Sequence, residues 1–214
     1  MKVIFYYCAD TQLYQIARLV GKEASKKTLI GMLNKIRESC VQTNIFNNES
    51  LVFGGDVEMI SNVEMDESSF GKKRKNNRGK EYKKQWVFGI TERNSNKVFM
   101  TVVDDRKKTT LLPLIRKHIS TRSTLHHDDW PSYRCLRGIG YSDLIVNHSK
   151  EFKSKQGACT NTIEGIWGVM KQRINRMHGI EFSKLNTYLQ EYCFRYQHKH
   201  DICSAVVNSI AFSV

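Results

Sequence analysis

Three strand-like runs followed by a regular alternation of helices and strands constrain this chain more than any other feature. Val63–Ser68, Gln85–Glu92 and Lys97–Val103 are rich in Val, Phe, Trp and Ile and are separated by turn residues such as Asn94-Ser95-Asn96. The last two predict a hairpin. A helix over Thr109–His118, a strand over Thr124–His127, a helix over Ser132–Arg137 and a strand over Leu144–Val146 follow in turn. Two longer helices close the chain, over residues 161–178 and 183–198. Strands joined directly pair antiparallel, whereas strands separated by helices pair parallel. One mixed sheet with helices on both faces is the economical solution.

That order is the one expected of a ribonuclease H-like fold. Ahead of it lies a different kind of sequence. Asn47-Asn48-Glu49-Ser50 and Gly54-Gly55-Asp56 signal a loop, which divides the 214 residues into a helical segment, 1–50, and a catalytic-sized domain, 51–214. In the first segment Leu13, Ile16, Ala17 and Val20 are followed by a break at Gly21 and then by Leu29, Leu33 and Ile36 at helical spacing. Two helices around a glycine turn predict a small helix-turn-helix-like segment, with Lys26, Lys27, Lys35 and Arg37 as candidate phosphate contacts.

Charge narrows the partner class. Lys and Arg total 34 against 21 Asp and Glu, a formal net charge of +13, which points to a polyanion such as nucleic acid. The densest run, residues 72–84, holds eight basic residues and one acid, Glu81. It follows the first strand directly and reads as a basic hairpin clamping the DNA backbone without sequence choice; a nuclear-import signal and a solvated loop are the other readings. No apolar run approaches the ~20 residues of a membrane helix. The short start gives no strong signal-peptide pattern, so an intracellular protein is expected, nuclear in a eukaryotic host and cytoplasmic in a bacterium. Six cysteines without a C-x-x-C pair read as free thiols. Cys193, His198, His200 and Cys203 match no common zinc spacing.

Three acidic positions fall where the expected sheet gathers them: Asp66 near the end of the first strand, Asp128 or Asp129 after the fourth, and Glu164 opening a helix. Phosphodiester chemistry needs the attacking and leaving oxygens stabilised together, which two divalent ions held by carboxylates accomplish. Each position also has a plainer reading. Glu164, three residues after Asn161, fits a capped helix start; the acidic pair before Trp130-Pro131 fits a helix initiator; Asp66 beside Glu67 fits strand-end polarity. Of His126 and His127, only His126 shares the face of Asp128, and both read as structural. Ile163, Trp167, Met170, Ile174 and Met177 form a core stripe, with Glu164 at its edge beside Gly165 and Gly168.

Five short blocks in one order carry a family resemblance: Val63-Glu64-Met65-Asp66-Glu67-Ser68-Ser69-Phe70-Gly71, Trp86-Val87-Phe88-Gly89, Asp128 with Trp130 and Tyr133, Val146-Asn147-His148-Ser149, and Thr160-Asn161-Thr162-Ile163-Glu164. From about residue 50 onward the chain resembles Merlin-type DDE transposases and their bacterial insertion-sequence relatives, with an ISXO-like transposase domain. The resemblance implies a ribonuclease H-like fold and cut-and-paste DNA strand cleavage and transfer. It implies a metal-binding triad of Asp66, Asp128 and Glu164 holding two Mg²⁺ or Mn²⁺ ions, with Asp129 at a variable position. It also implies double-stranded DNA with terminal inverted repeats as partner, and a homo-oligomer on that DNA. DNA contacts are expected from Lys72, Lys73, Arg74, Lys75, Arg78 and Lys80, from Lys26 and Lys27, and from Lys171 and Arg173. His148, Asn161 and Cys159 are accessory candidates.

Two departures from the family pattern stand out. Cys159 occupies a position usually held by His, and the family commonly carries more N-terminal sequence, often a zinc ribbon. The resulting expectation is a truncated or decayed copy. Alternative readings are therefore a catalytically decayed, transposase-derived DNA-binding protein, or a ribonuclease H-like nuclease without strand joining.

Overall fold

A computed structural model describes residues 2–21, 24–55, 60–71, 84–146, 159–177 and 179–212. Its helices are α1 (Lys2–Cys8), α2 (Leu13–Val20), α3 (Lys26–Asn48), α4 (Lys108–His118), α5 (Asn161–Arg176), α6 (Leu185–Gln197) and α7 (Ile202–Phe212). Its strands are β1 (Asn62–Phe70), β2 (Gln85–Glu92), β3 (Val98–Val103), β4 (Thr124–Asp128) and β5 (Ser142–Val146). The chain divides into two compact units, residues 51–189 and residues 1–50 with 190–214.

The larger unit is built on one sheet of order β3-β2-β1-β4-β5. β1 pairs antiparallel with β2, and β2 with β3, while β4 runs parallel to both β1 and β5. This is the ribonuclease H-like arrangement expected from the order of elements. Alternation along β1 explains why both faces are covered. Val63 and Met65 join Phe88, Ile90 and Leu125 in an apolar layer closed by Leu111 and Ile115 of α4 and by Tyr133. The opposite face carries Glu64, Asp66 and Gly89 and receives α5 through Ile163 and Trp167. The expected helix over Ser132–Arg137 is instead two short 3-10 turns, Pro131–Tyr133 and Arg137–Ile139. Gly138 and Gly140 within and after this stretch disfavour a continued α-helix.

The smaller unit is helical. α2 ends at Gly21, whose φ of 65° suits a residue without a Cβ. α3 begins after Ser25, whose hydroxyl accepts from Thr28 N at 3.1 Å. Placing residues 190–214 with the catalytic domain does not describe the packing. Phe194 and Val206 lie in one apolar cluster with Tyr7, Ile36 and Cys40. Buried Glu191 accepts hydrogen bonds from Tyr7, Arg37 and Arg195 at 2.8, 2.8 and 3.0 Å, and Gln190 accepts from Asn44 and Asn48. Charged and amide groups with these partners keep the end of the chain with its beginning. Cys8, Cys40 and Cys193 are buried free thiols, as expected, whereas Cys203 is exposed. No helix among the described residues is long and apolar enough to cross a membrane.

Candidate active site

Asp66 sits in the middle of the sheet, on β1. β1 and β4 are in register at Glu64 and His126, so two residues further along each strand Asp66 and Asp128 stand side by side on the face that receives α5. Asp66 Oδ2 accepts a hydrogen bond from Trp167 Nε1 at 3.0 Å. Burial, then the neighbouring charges of Glu67 and Asp128, push Asp66 up to about 7. Asp128 closes β4, where its Oδ1 accepts from Trp130 N at 3.2 Å. Asp129 is turned outward, 3.7 Å from Arg134 Nε.

Beneath this pair lies a group of residues that the sequence reading passed over. Glu67, on the other face of β1, is fully buried and accepts from Arg106 Nε and Nη2 at 3.0 and 2.7 Å and from the Tyr133 hydroxyl. The Arg106 guanidinium stacks between Trp86 and Trp130, 4.6 and 3.7 Å from their ring centroids, and Nη2 lies 3.9 Å from Asp128 Oδ2. Arg106 O in turn accepts from Trp130 Nε1 and Ser132 Oγ. One cation thus ties β1 to the segment after β4. In the sequence, Arg106 stands in an ordinary basic loop beside Lys107 and Lys108, with nothing to mark it.

A second network lies on the α5 face. Glu64, fully buried, accepts from Thr162 N and Ile163 N at 2.9 Å each, from Thr162 Oγ1 at 3.0 Å and from Arg93 Nε at 2.7 Å. Arg93 Nη2 also donates to the Cys159 carbonyl and lies 3.2 Å from its Sγ. Cys159 therefore belongs to the Glu64–Arg93 pair. His126, next to Glu64 across the β1–β4 register, bonds Asn62 through Nε2. Burial, then the Arg93 charge, pulls it down to about 4. His127 faces the opposite way, packed on Tyr133 and 3.3 Å from Asp143, so both histidines are structural.

Glu164 lies in the exposed first turn of α5, where Thr160 Oγ1 donates to its Oε1 at 2.7 Å. The residue before the helix is Thr160, and Asn161 is its first helical residue rather than the cap. Among the described residues no three of His, Cys, Asp and Glu come close enough together to hold a metal ion. The structure thus brings Asp66 and Asp128 together and leaves Glu164 apart from them. The stripe under Glu164 is buried at Ile163, Ile166, Trp167 and Met170.

Lys26 and Lys27 are exposed in the first turn of α3, which holds no acidic residue. Arg37 is engaged by Glu191. Lys171 Nζ lies 5.5 Å from the Phe70 ring, and Arg173 is half-buried in the last turn of α5. Lys72, Lys73, Arg74, Lys75, Arg78, Lys80 and His148 lie outside the described residues.

Comparison with known proteins places the chain. A solved structure of the catalytic core domain of BIV integrase shares 17% identity at a TM-score of 0.39, over 61% of this chain and 80% of that one. A pre-cleavage Mos1 transpososome shares 10% at a TM-score of 0.29, over 95% of this chain and 75% of that one. An uncharacterized transposase-like protein of Haemophilus influenzae is 30% identical over 100 residues, which span 47% of this chain and 80% of the relative. The ISXO2-like transposase domain family matches residues 59–197, a span that takes in the whole sheet and both Asp66 and Asp128. With that match over more than half of its length, this chain belongs to the family of ISXO2-like transposase domains.

Proposed function

We propose that this protein is a DDE-type DNA transposase that cleaves and joins DNA strands with two divalent metal ions held by Asp66, Asp128 and Glu164. The observation that carries the reading is the nearness of Asp66 to Asp128, two residues beyond the last paired position Glu64–His126 on the same face, where burial and neighbouring negative charge raise the proton affinity of Asp66. An oxygen-only pair of this kind fits a hard cation, which relieves the repulsion. When bound, Mg²⁺ or Mn²⁺ supplies Lewis acidity to the attacking and leaving oxygens of a phosphodiester. Glu164, exposed in the first turn of α5 and bonded by the Thr160 hydroxyl, would be the third ligand.

The chain's own groups do the rest. Trp167 fixes the rotamer of Asp66 by its Nε1 hydrogen bond. Arg106 neutralises Glu67, so that the charge directly behind the pair does not compete for the cation. The basic run Lys72, Lys73, Arg74, Lys75, Arg78 and Lys80, which follows β1 in the sequence, grips phosphates, and so do Lys171 and Arg173 on α5. Lys26 and Lys27, placed where a helix dipole already favours an anion, contact the backbone of a terminal inverted repeat. Two such ends held together call for a homo-oligomer on DNA.

The test is Mg²⁺-dependent cleavage and joining of double-stranded DNA carrying the flanking inverted repeats. The intact chain is expected to give both cleaved and joined products, and Asp66→Asn neither. Cleavage without joined product would favour the nuclease, and salt-sensitive binding without cleavage the decayed binder.

A further inference from the structure

Among the described residues next to it, helix α5 has no side-chain cap of the usual local kind. Thr160 precedes it without a side-chain hydrogen bond to the helix amides, although the first amides of a helix need acceptors. The acceptor comes from β1, 98 residues away. The Glu64 carboxylate takes Thr162 N, Ile163 N and Thr162 Oγ1, and its charge is balanced by Arg93. Two residues along the same face of β1, Asp66 takes Trp167 Nε1. The helix is therefore pinned to one strand at two points, and Glu164 lies between them. Close packing fixes the approach: a Cβ on Gly89 of β2 would stand 2.5 Å from the Trp167 ring.

We infer that Glu64 is a positioning residue, a remote helix cap that sets the place of Glu164 relative to Asp66 and thereby the affinity of the site for its metal ions. The inference rests on the reading of Glu164 as the third carboxylate. Arg93 is its partner in this role, because it holds Glu64 and the Cys159 carbonyl together at the entry to α5. Glu64 is fully buried among protein groups, so it acts through the helix it caps.

Mn²⁺ binding, followed by the electron paramagnetic resonance of the free ion, tests this in the intact chain, Glu64→Gln, Glu164→Ala and the double variant. Supporting groups of this kind alter metal affinity by 10–100-fold, so Glu64→Gln should weaken Mn²⁺ about tenfold. In the Glu164→Ala background the same change should cost less than about twofold, since the effect passes through Glu164. Hydrogen exchange supplies a second readout. The Thr162 and Ile163 amides should exchange faster in Glu64→Gln while those of Leu111 and Ile115 in α4 stay protected. Thr162→Val, which removes one donor and no charge, should move both readouts in the same direction by a smaller factor, and it decides the matter if Glu64→Gln fails to fold. Unchanged Mn²⁺ affinity, or an equal loss in both backgrounds, would overturn the inference alone. Wild-type Mn²⁺ binding by Asp66→Asn would overturn the metal reading and this inference with it.

Discussion

Gly89 offers a sharp test of how the site is packed. It lies on β2 directly opposite Asp66 and pairs on its other side with Met100 of β3, so its backbone is held from both edges. A Cβ built there stands 2.5 Å from both Trp167 Cη2 and Cζ2 and 3.1 Å from Ile163 Cδ1. Carbon atoms rest at about 3.5–4.0 Å, so in Gly89→Ala the indole must recede by roughly 1 Å. Overpacking of this kind costs about 1–3 kcal/mol, and a displaced Trp167 also loses its bond to the Asp66 carboxylate. Alanine is better than glycine in a strand by about 0.5–1 kcal/mol, which offsets part of this. A net loss of about 2 kcal/mol is expected in urea unfolding, with reduced DNA cleavage. Gly168→Ala is the control: nothing lies within 4 Å of its added Cβ, and it sits in α5, so it should stabilise by up to about 1 kcal/mol. Gly89→Ala as stable as the wild type would refute the packing of α5 on β2.

Other parts of the chain carry further expectations. Arg106→Met leaves Glu67 buried with only Tyr133 and should cost about 3 kcal/mol in urea unfolding; Arg106→Lys should rescue little, since an ammonium cannot reproduce the stacked fork. Replacing Lys72, Lys73, Arg74, Lys75, Arg78 and Lys80 with Gln should flatten the plot of log Kd against log salt by at most about 5, measured by fluorescence anisotropy; an unchanged slope would remove the run from the DNA contact. His118 is pulled down by burial, with Nδ1 2.9 Å from Leu51 O. Its folded value lies below the unfolded one, so the stability it confers is complete above about pH 6.5 and is lost as the pH falls. His118→Gln should therefore reduce the slope of stability against pH between 6.5 and 5 by up to about 1.4 kcal/mol per pH unit, and an identical slope would contradict that burial.

Much of this architecture was legible in the sequence because it is local. Val63 with Met65, and Phe88 with Ile90, fall at strand spacing and Ile163, Trp167 and Met170 at helical spacing, so β1, β2 and α5 could be placed before their partners were known. The residues alone leave Asp128 and Asp129 both open, and the choice of Asp128 comes from the family resemblance, in which the acidic residue stands two before the position of Trp130. What escaped is long-range. Glu64 looks like an ordinary polar alternate in a strand, and only the pairing with Thr162, 98 residues on, makes it a cap. Arg106 is one basic residue among several until Trp86, Trp130 and Glu67 converge on it. Likewise α7 carries no signal that it packs with Tyr7 and Cys40 rather than with the sheet. The capping assignment to Asn161 missed by one residue because the true acceptor is not in the neighbouring sequence at all.

Comparing Asp128→Asn with Asp129→Asn tests the central claim most directly. The two carboxylates are adjacent in sequence, yet one stands beside Asp66 and the other faces Arg134 at the surface. In Mg²⁺- or Mn²⁺-dependent cleavage of DNA bearing the inverted repeats, Asp128→Asn should be inactive and Asp129→Asn close to the intact chain. Equal activity in the two variants, or loss confined to Asp129→Asn, would contradict the assignment of the metal-binding pair.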